Sequence, residues 1–205
     1  MENKSEAFTE EESLKTMTQM LERVKDNQYE NGAVPILWGV VIAVCNLVKA
    51  AELFWKITIG FNIFWLTVLA ALIHAWTVKS IRAKQVVLTH EEQSIKIIWM
   101  LFFFSLAGLL LYYEIVLDKS AFQSQSPLSL HLLLYFMPTL FTGIIARFKP
   151  MTIGGIICLA LFVVSLFSNS VFDMLLLACA AVVCWLLPGF ILRKQYYDKR
   201  KKGHA

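Results

Sequence analysis

The stretch AVPILWGVVIAVCNLVKAAELF, residues 33–54, decides the fold. Its only charges are Lys49 and Glu52, both close to its end. A helix of this length reaches about 33 Å at 1.5 Å per residue, enough for a bilayer hydrocarbon core of about 30 Å. Five further stretches read the same way: residues 57–78, 95–117, 128–145, 151–167 and 171–192, the fourth and fifth spans being short. Lipid supplies no water to unpaired backbone groups, so an open strand is excluded there. None of the stretches shows the strict alternation of a barrel strand. The expected fold class is all-α: a polytopic membrane protein with six transmembrane helices and a short N-terminal amphipathic cytoplasmic helix.

Composition agrees with that reading. The 205 residues are 58% hydrophobic and 17% charged, with a mean hydropathy of +0.61. Soluble domains carry about 45–50% apolar and about 25% charged residues. A water-soluble domain of this size has too little interior for so much apolar surface, and a disordered chain needs the opposite balance. The first thirty residues are polar and acid-rich with no apolar core, so no cleavable signal peptide is expected and the first span itself drives insertion.

Charge distribution sets the topology. Threading the six spans puts sixteen of the 19 Lys and Arg on one side: in the N-terminal segment, residues 79–96, the 146–150 loop and the tail. Only Lys49, Lys56 and Lys119 fall on the other side. By the positive-inside rule both termini are cytoplasmic. Trp55, Tyr112 and Tyr113 fall near the outer boundary, and Trp76, Trp99, Trp185, Tyr196 and Tyr197 near the inner one, the depth that amphipathic rings prefer. The domain organisation is then a cytoplasmic segment at 1–31, a transmembrane domain at 32–192 and a basic cytoplasmic tail at 193–205.

Thr9-Glu10-Glu11-Glu12 reads as a capping box, with Arg23 and Lys25 near the other end of the same helix. Leu14, Met17, Leu21 and Val24 recur on one helical face. An amphipathic helix over about 10–26 is expected, ended by Asn31-Gly32. Its net negative charge opposes an anionic leaflet, so its apolar face is assigned to protein, either the bundle or a partner helix. The basic tail suits a topology signal and contact with lipid headgroups. It lacks any module that reads bases, so no nucleic acid partner is expected. Thr89-His90-Glu91-Glu92 is a second capping box, opening the third span.

Cys45, Cys158, Cys179 and Cys184 all lie in apolar runs without a CxxC pair, and read as small buried hydrophobes. Pro138 and Pro188 are expected to kink the fourth and sixth helices. Gly143 and the Gly154-Gly155 pair are expected to let the fourth and fifth helices approach closely, although no GxxxG motif is present.

Ionisable side chains inside spans are candidate functional groups. Glu52, Glu114, His131 and Asp173 all fall toward the outer side and could together hold a solute, ion or metal, or pass protons. Against that, each lies within about two turns of an interface and can reach water, and Lys49 and Glu52 are spaced to pair with each other. Glu91-Glu92 with Lys96 resembles the paired-glutamate motif of CAAX-processing intramembrane proteases, but Lys96 stands where Arg is wanted and Ala70 stands where Phe should precede His74. There is no P-loop, GxSxG, HExxH or dinucleotide fingerprint and no lipidation signature. No catalytic, cofactor-binding or metal-binding residue is assigned, and no enzymatic activity is expected.

Three segments carry a resemblance: Met20-Leu-Glu-Arg-Val-Lys-Asp-Asn27 to Ile36-Leu-Trp-Gly39, Arg147-Phe-Lys-Pro-Met-Thr-Ile-Gly-Gly155 and Leu186-Leu-Pro-Gly-Phe-Ile-Leu192. From about residue 14 onward the chain resembles uncharacterised six-span inner-membrane proteins of Bacteroides-type bacteria. The resemblance implies a location in the bacterial cytoplasmic membrane. The expected partners are membrane lipids and a cytoplasmic protein or a second copy of the chain. The expected role is a non-enzymatic structural or regulatory module, the alternative being a small solute transporter or ion-binding protein.

Overall fold

A computed structural model describes residues 32–82, 90–115 and 128–202. Every regular element among them is helical. The proposed partner-helix face, Leu14, Met17, Leu21 and Val24, lies outside the described residues, as do the caps at Thr9 and Thr89.

Helix α1 runs Ala33–Trp55 and takes Pro35 in its first turn, where no backbone N–H is required. It stops at Lys56, which adopts a left-handed conformation (φ 53°) and donates its N–H to Glu52 O. The next helix begins later than the apolar pattern suggests. Residues 57–64 are not helical, and α2 covers Trp65–Arg82. The reason is local: Ile57, Thr58 and Ile59 are β-branched, Gly60 follows, and Asn62 Oδ1 accepts the Phe64 N–H at 3.1 Å in a side-chain turn. Helix α3 spans His90–Ile115, starting several residues before its apolar run.

Helices α4 (Ser129–Ile145) and α5 (Lys149–Ser165) form a hairpin closed by Phe148 N–H donating to Gly143 O at 2.8 Å. Helix α6 covers residues 170–202. It runs Ser170–Ala181, widens into a π turn at Val182–Leu186 and resumes over Leu187–Lys202. The π turn is the local answer to Pro188. A proline ring clashes with the carbonyl four residues back, here that of Cys184, and widening the preceding turn takes up the conflict. Leu187 N–H accordingly reaches back to Val182 O. The helix does not stop at 192; the basic tail extends it through Lys202.

Among the described residues, three stretches are long and apolar enough to cross a membrane: Ala33–Trp55, Gln93–Tyr113 and Ser170–Asp198. Trp65–Thr77, Ser129–Ile145 and Lys149–Ser165 are shorter apolar helices. Packing divides the bundle differently. Helices α1, α4, α5 and α6 form the centre, with α1 against α6 and α4 against α5 as the broadest contacts. Helix α2 leans mainly on α1, and α3 mainly on α4. Only 6% of the α3 apolar window is buried, against 44% for α6, so α3 stands at the periphery.

Glycine makes the central contacts close, as expected. A methyl group at Gly155 would lie 2.9 Å from Leu140 Cα, and one at Gly154 would lie 2.8 Å from Val183 O. The two neighbouring glycines therefore let α5 touch α4 on one face and the π turn of α6 on another.

Candidate functional site

Leu132, Thr139, Cys45, Cys158 and Cys184 are fully enclosed at the centre of the bundle. Their polar atoms are bonded inward. Cys158 Sγ donates to Leu132 O and Cys184 Sγ to Gly154 O, both at 3.3 Å. Trp185 Nε1 donates to Thr139 Oγ1 at 3.2 Å, linking α6 to α4. Trp185, placed at the inner boundary by its position in the sequence, is thus a buried packing residue, only 3% exposed. Its ring lies 4.7 Å from Tyr135 and 6.2 Å from Trp99, and Tyr135 lies 6.1 Å from Phe102. This ladder of rings docks the otherwise bare α3. Three of the four cysteines behave as enclosed small residues; Cys179 is exposed on the apolar surface.

A second aromatic contact holds α2. Trp38 Nε1 donates to His74 Nδ1 at 3.1 Å, and the Trp38 ring also lies 6.1 Å from Phe103 of α3. The indole donor requires His74 to present Nδ1 as an acceptor. Trp38 therefore touches both peripheral helices from the central α1.

The four outer candidates serve separate contacts. Glu52 pairs with Lys49 at 2.6 Å and accepts the Ile59 N–H at 3.0 Å, pinning the loop that follows α1. It lines a shallow apolar recess of about 240 Å³ with Val48, Trp55 and Ile59. Glu114 lies on α3, its side chain outside the described residues. His131 sits in the first turn of α4, its ring 5.7 Å from Tyr113 and its buried Nδ1 without a hydrogen-bond partner. Asp173 sits in the first turn of α6, with no exposed surface. Among the described residues no three His, Cys, Asp or Glu side chains come together in a way that could hold a metal ion.

Asp173 anchors the α5–α6 turn. Asn169 caps α6 by accepting the Phe172 N–H at 3.1 Å. Ser168 Oγ hydrogen-bonds Asp173 Oδ1, while Asp173 Oδ2 has no hydrogen-bond partner. Ser168 carried no signal in the sequence, because its role depends on a turn that returns it to the acid five residues on.

Comparison with family models, curated proteins and solved structures finds no match for this chain.

Proposed function

We propose that the chain is a six-span protein of the bacterial cytoplasmic membrane, with both termini cytoplasmic, acting as a non-enzymatic structural or regulatory module. Its cytoplasmic helix over about 10–26 would meet a protein partner through Leu14, Met17, Leu21 and Val24. One observation carries the reading: three polar contacts at the centre of the bundle run from one helix to its neighbour. Trp185 to Thr139, Cys184 to Gly154 and Cys158 to Leu132 all hold helices together. Solute transport would favour polar groups converging near the midplane beside broken helices.

The shorter helices support six spans as well. The 17 residues of α4 and of α5 give about 26 Å, a few ångströms under the hydrocarbon core, a mismatch that bilayer thinning and flanking side chains accommodate. Their outward faces carry Met137, Phe141, Ile144, Ile153, Ile156 and Val163, all exposed, which suits lipid rather than water.

Two measurements test the proposal. Reporters fused to each terminus should be reached from the same face of sealed vesicles; opposite faces would require an odd number of spans and end the six-span reading. Replacing Leu14, Met17 and Leu21 with Ser should abolish recovery of a cytoplasmic partner by the full chain in detergent, and recovery at the wild-type level refutes the partner-helix assignment.

A further inference from the structure

We propose that Asp173, with Ser168 and the C-terminal end of α5, forms a binding site for a single small monovalent cation, with sodium as its occupant. The proposal goes beyond the partner-docking reading and fails separately from it.

Asp173 is fully buried. Among the described residues its Oδ2 has no hydrogen-bond partner, and its Oδ1 meets only the Ser168 hydroxyl. That hydroxyl holds one proton and faces a second acceptor, Ser165 O, at 3.1 Å. Ser165 offers no help, since its own hydroxyl donates to Phe162 O at 2.9 Å. Ser165 O already accepts the Ser168 N–H at 3.2 Å, so the two carboxylate oxygens have the one hydroxyl proton between them. Two nearby N–H groups of the helix N-terminus are bonded elsewhere: Phe172 N–H goes to Asn169 Oδ1, and Asp173 N–H goes to Asn169 O at 2.9 Å. The ion pair formed among the described residues, Lys49 with Glu52, does not include Asp173. A buried carboxylate short of donors, with no counter-charge among the described residues, is strongly disfavoured until a positive charge joins it.

The chemistry of the surroundings selects the ion. Every ligand on offer is a hard oxygen: two from the carboxylate, one hydroxyl and one backbone carbonyl. That set disfavours soft transition metals, which take thiolate or imidazole. One negative charge balances one monovalent cation, whereas a divalent ion would leave an uncompensated positive charge in the same enclosed place. Sodium fits an oxygen-only site of this charge.

The test uses the full chain purified in detergent, with radiolabelled sodium and choline as the inert replacement ion. The wild type should bind sodium at one ion per chain. Asp173→Asn should abolish that binding, and Ser168→Ala should weaken it by roughly tenfold, the loss of one hydrogen-bonding ligand. Thermal unfolding gives an independent readout. In choline, Asp173→Asn should unfold at a higher temperature than the wild type, because the uncompensated charge is gone, and sodium should close that gap by stabilising the wild type alone. Absence of sodium binding in the wild type, or equal binding in Asp173→Asn, overturns the proposal. So does stabilisation by magnesium in place of sodium, or stabilisation by acid alone with no sodium effect at any pH, which would assign the neutralising charge to a proton. If Asp173→Asn does not fold, the affinity of Ser168→Ala decides the question, and an unchanged value overturns it.

Discussion

Replacing Gly39 with Ala tests how closely α1 and α6 are packed. A methyl group on Gly39 would lie 2.7 Å from Leu186 N and 2.9 Å from both Leu186 Cα and Cβ. Two of those atoms are backbone, so no rotamer change relieves the contact. Carbon contacts settle at about 3.5–4.0 Å, so the helices must part by roughly 1 Å. Overpacking of this kind costs about 1–3 kcal/mol, and alanine returns about 1 kcal/mol through its better helix propensity. The expected net loss is up to about 2 kcal/mol. At roughly 2–4 °C per kcal/mol for a chain of this size, the unfolding midpoint should fall by up to about 8 °C. Gly108 on α3 supplies the control, because a methyl group there meets nothing within 4 Å. Gly108→Ala should keep the propensity gain and raise the midpoint by roughly 2–4 °C. Thermal unfolding of both variants in one detergent, followed by tryptophan fluorescence, reads the difference. A Gly39→Ala protein stabilised as much as Gly108→Ala refutes the close approach, and a Gly108→Ala protein that loses stability refutes the bare face of α3.

Thr139→Val keeps the side chain's shape but removes the acceptor for Trp185 Nε1. It should cost about 1–3 kcal/mol in thermal unfolding, the penalty of a buried unpaired N–H, while Thr139→Ser retains most of the stability. The loss should shrink when Trp185 is also Phe, as expected for directly coupled partners. Trp38→Phe removes the donor to His74 and should speed amide exchange across α2 while leaving α4 and α5 unchanged; equal exchange in α2 would mean that this bond does not hold it.

Long apolar runs made α1 and α6 legible, because length and hydropathy are properties of each segment alone. The same logic misplaced the start of α2. Ile57, Ile59 and Phe61 keep the hydropathy high through a stretch whose backbone is set by Lys56, Gly60 and Asn62 instead. The Lys49–Glu52 pair was legible from its spacing along one helix. The bond from Trp185 to Thr139 was not, since the partners lie 46 positions apart and meet only once α4 and α6 are packed. Asp173 stood out as an acid in an apolar run, but its nearness to the span's end suggested access to water. Its side chain instead shares the buried face of α6 with Met174, Leu177 and Ala178, which removes that access.

The π turn in α6 also sets where the chain tolerates a change of length. A π turn amounts to one supernumerary residue taken up without changing the phase of the helix on its far side. Removing a residue from 182–186 would tighten the turn and leave Gly189 against Ile36, at the expense of pressing the proline ring onto the carbonyl four residues back. Removing one from 175–180 has no such slack to draw on. It would swing everything beyond by about 100° and carry Gly189 away from α1.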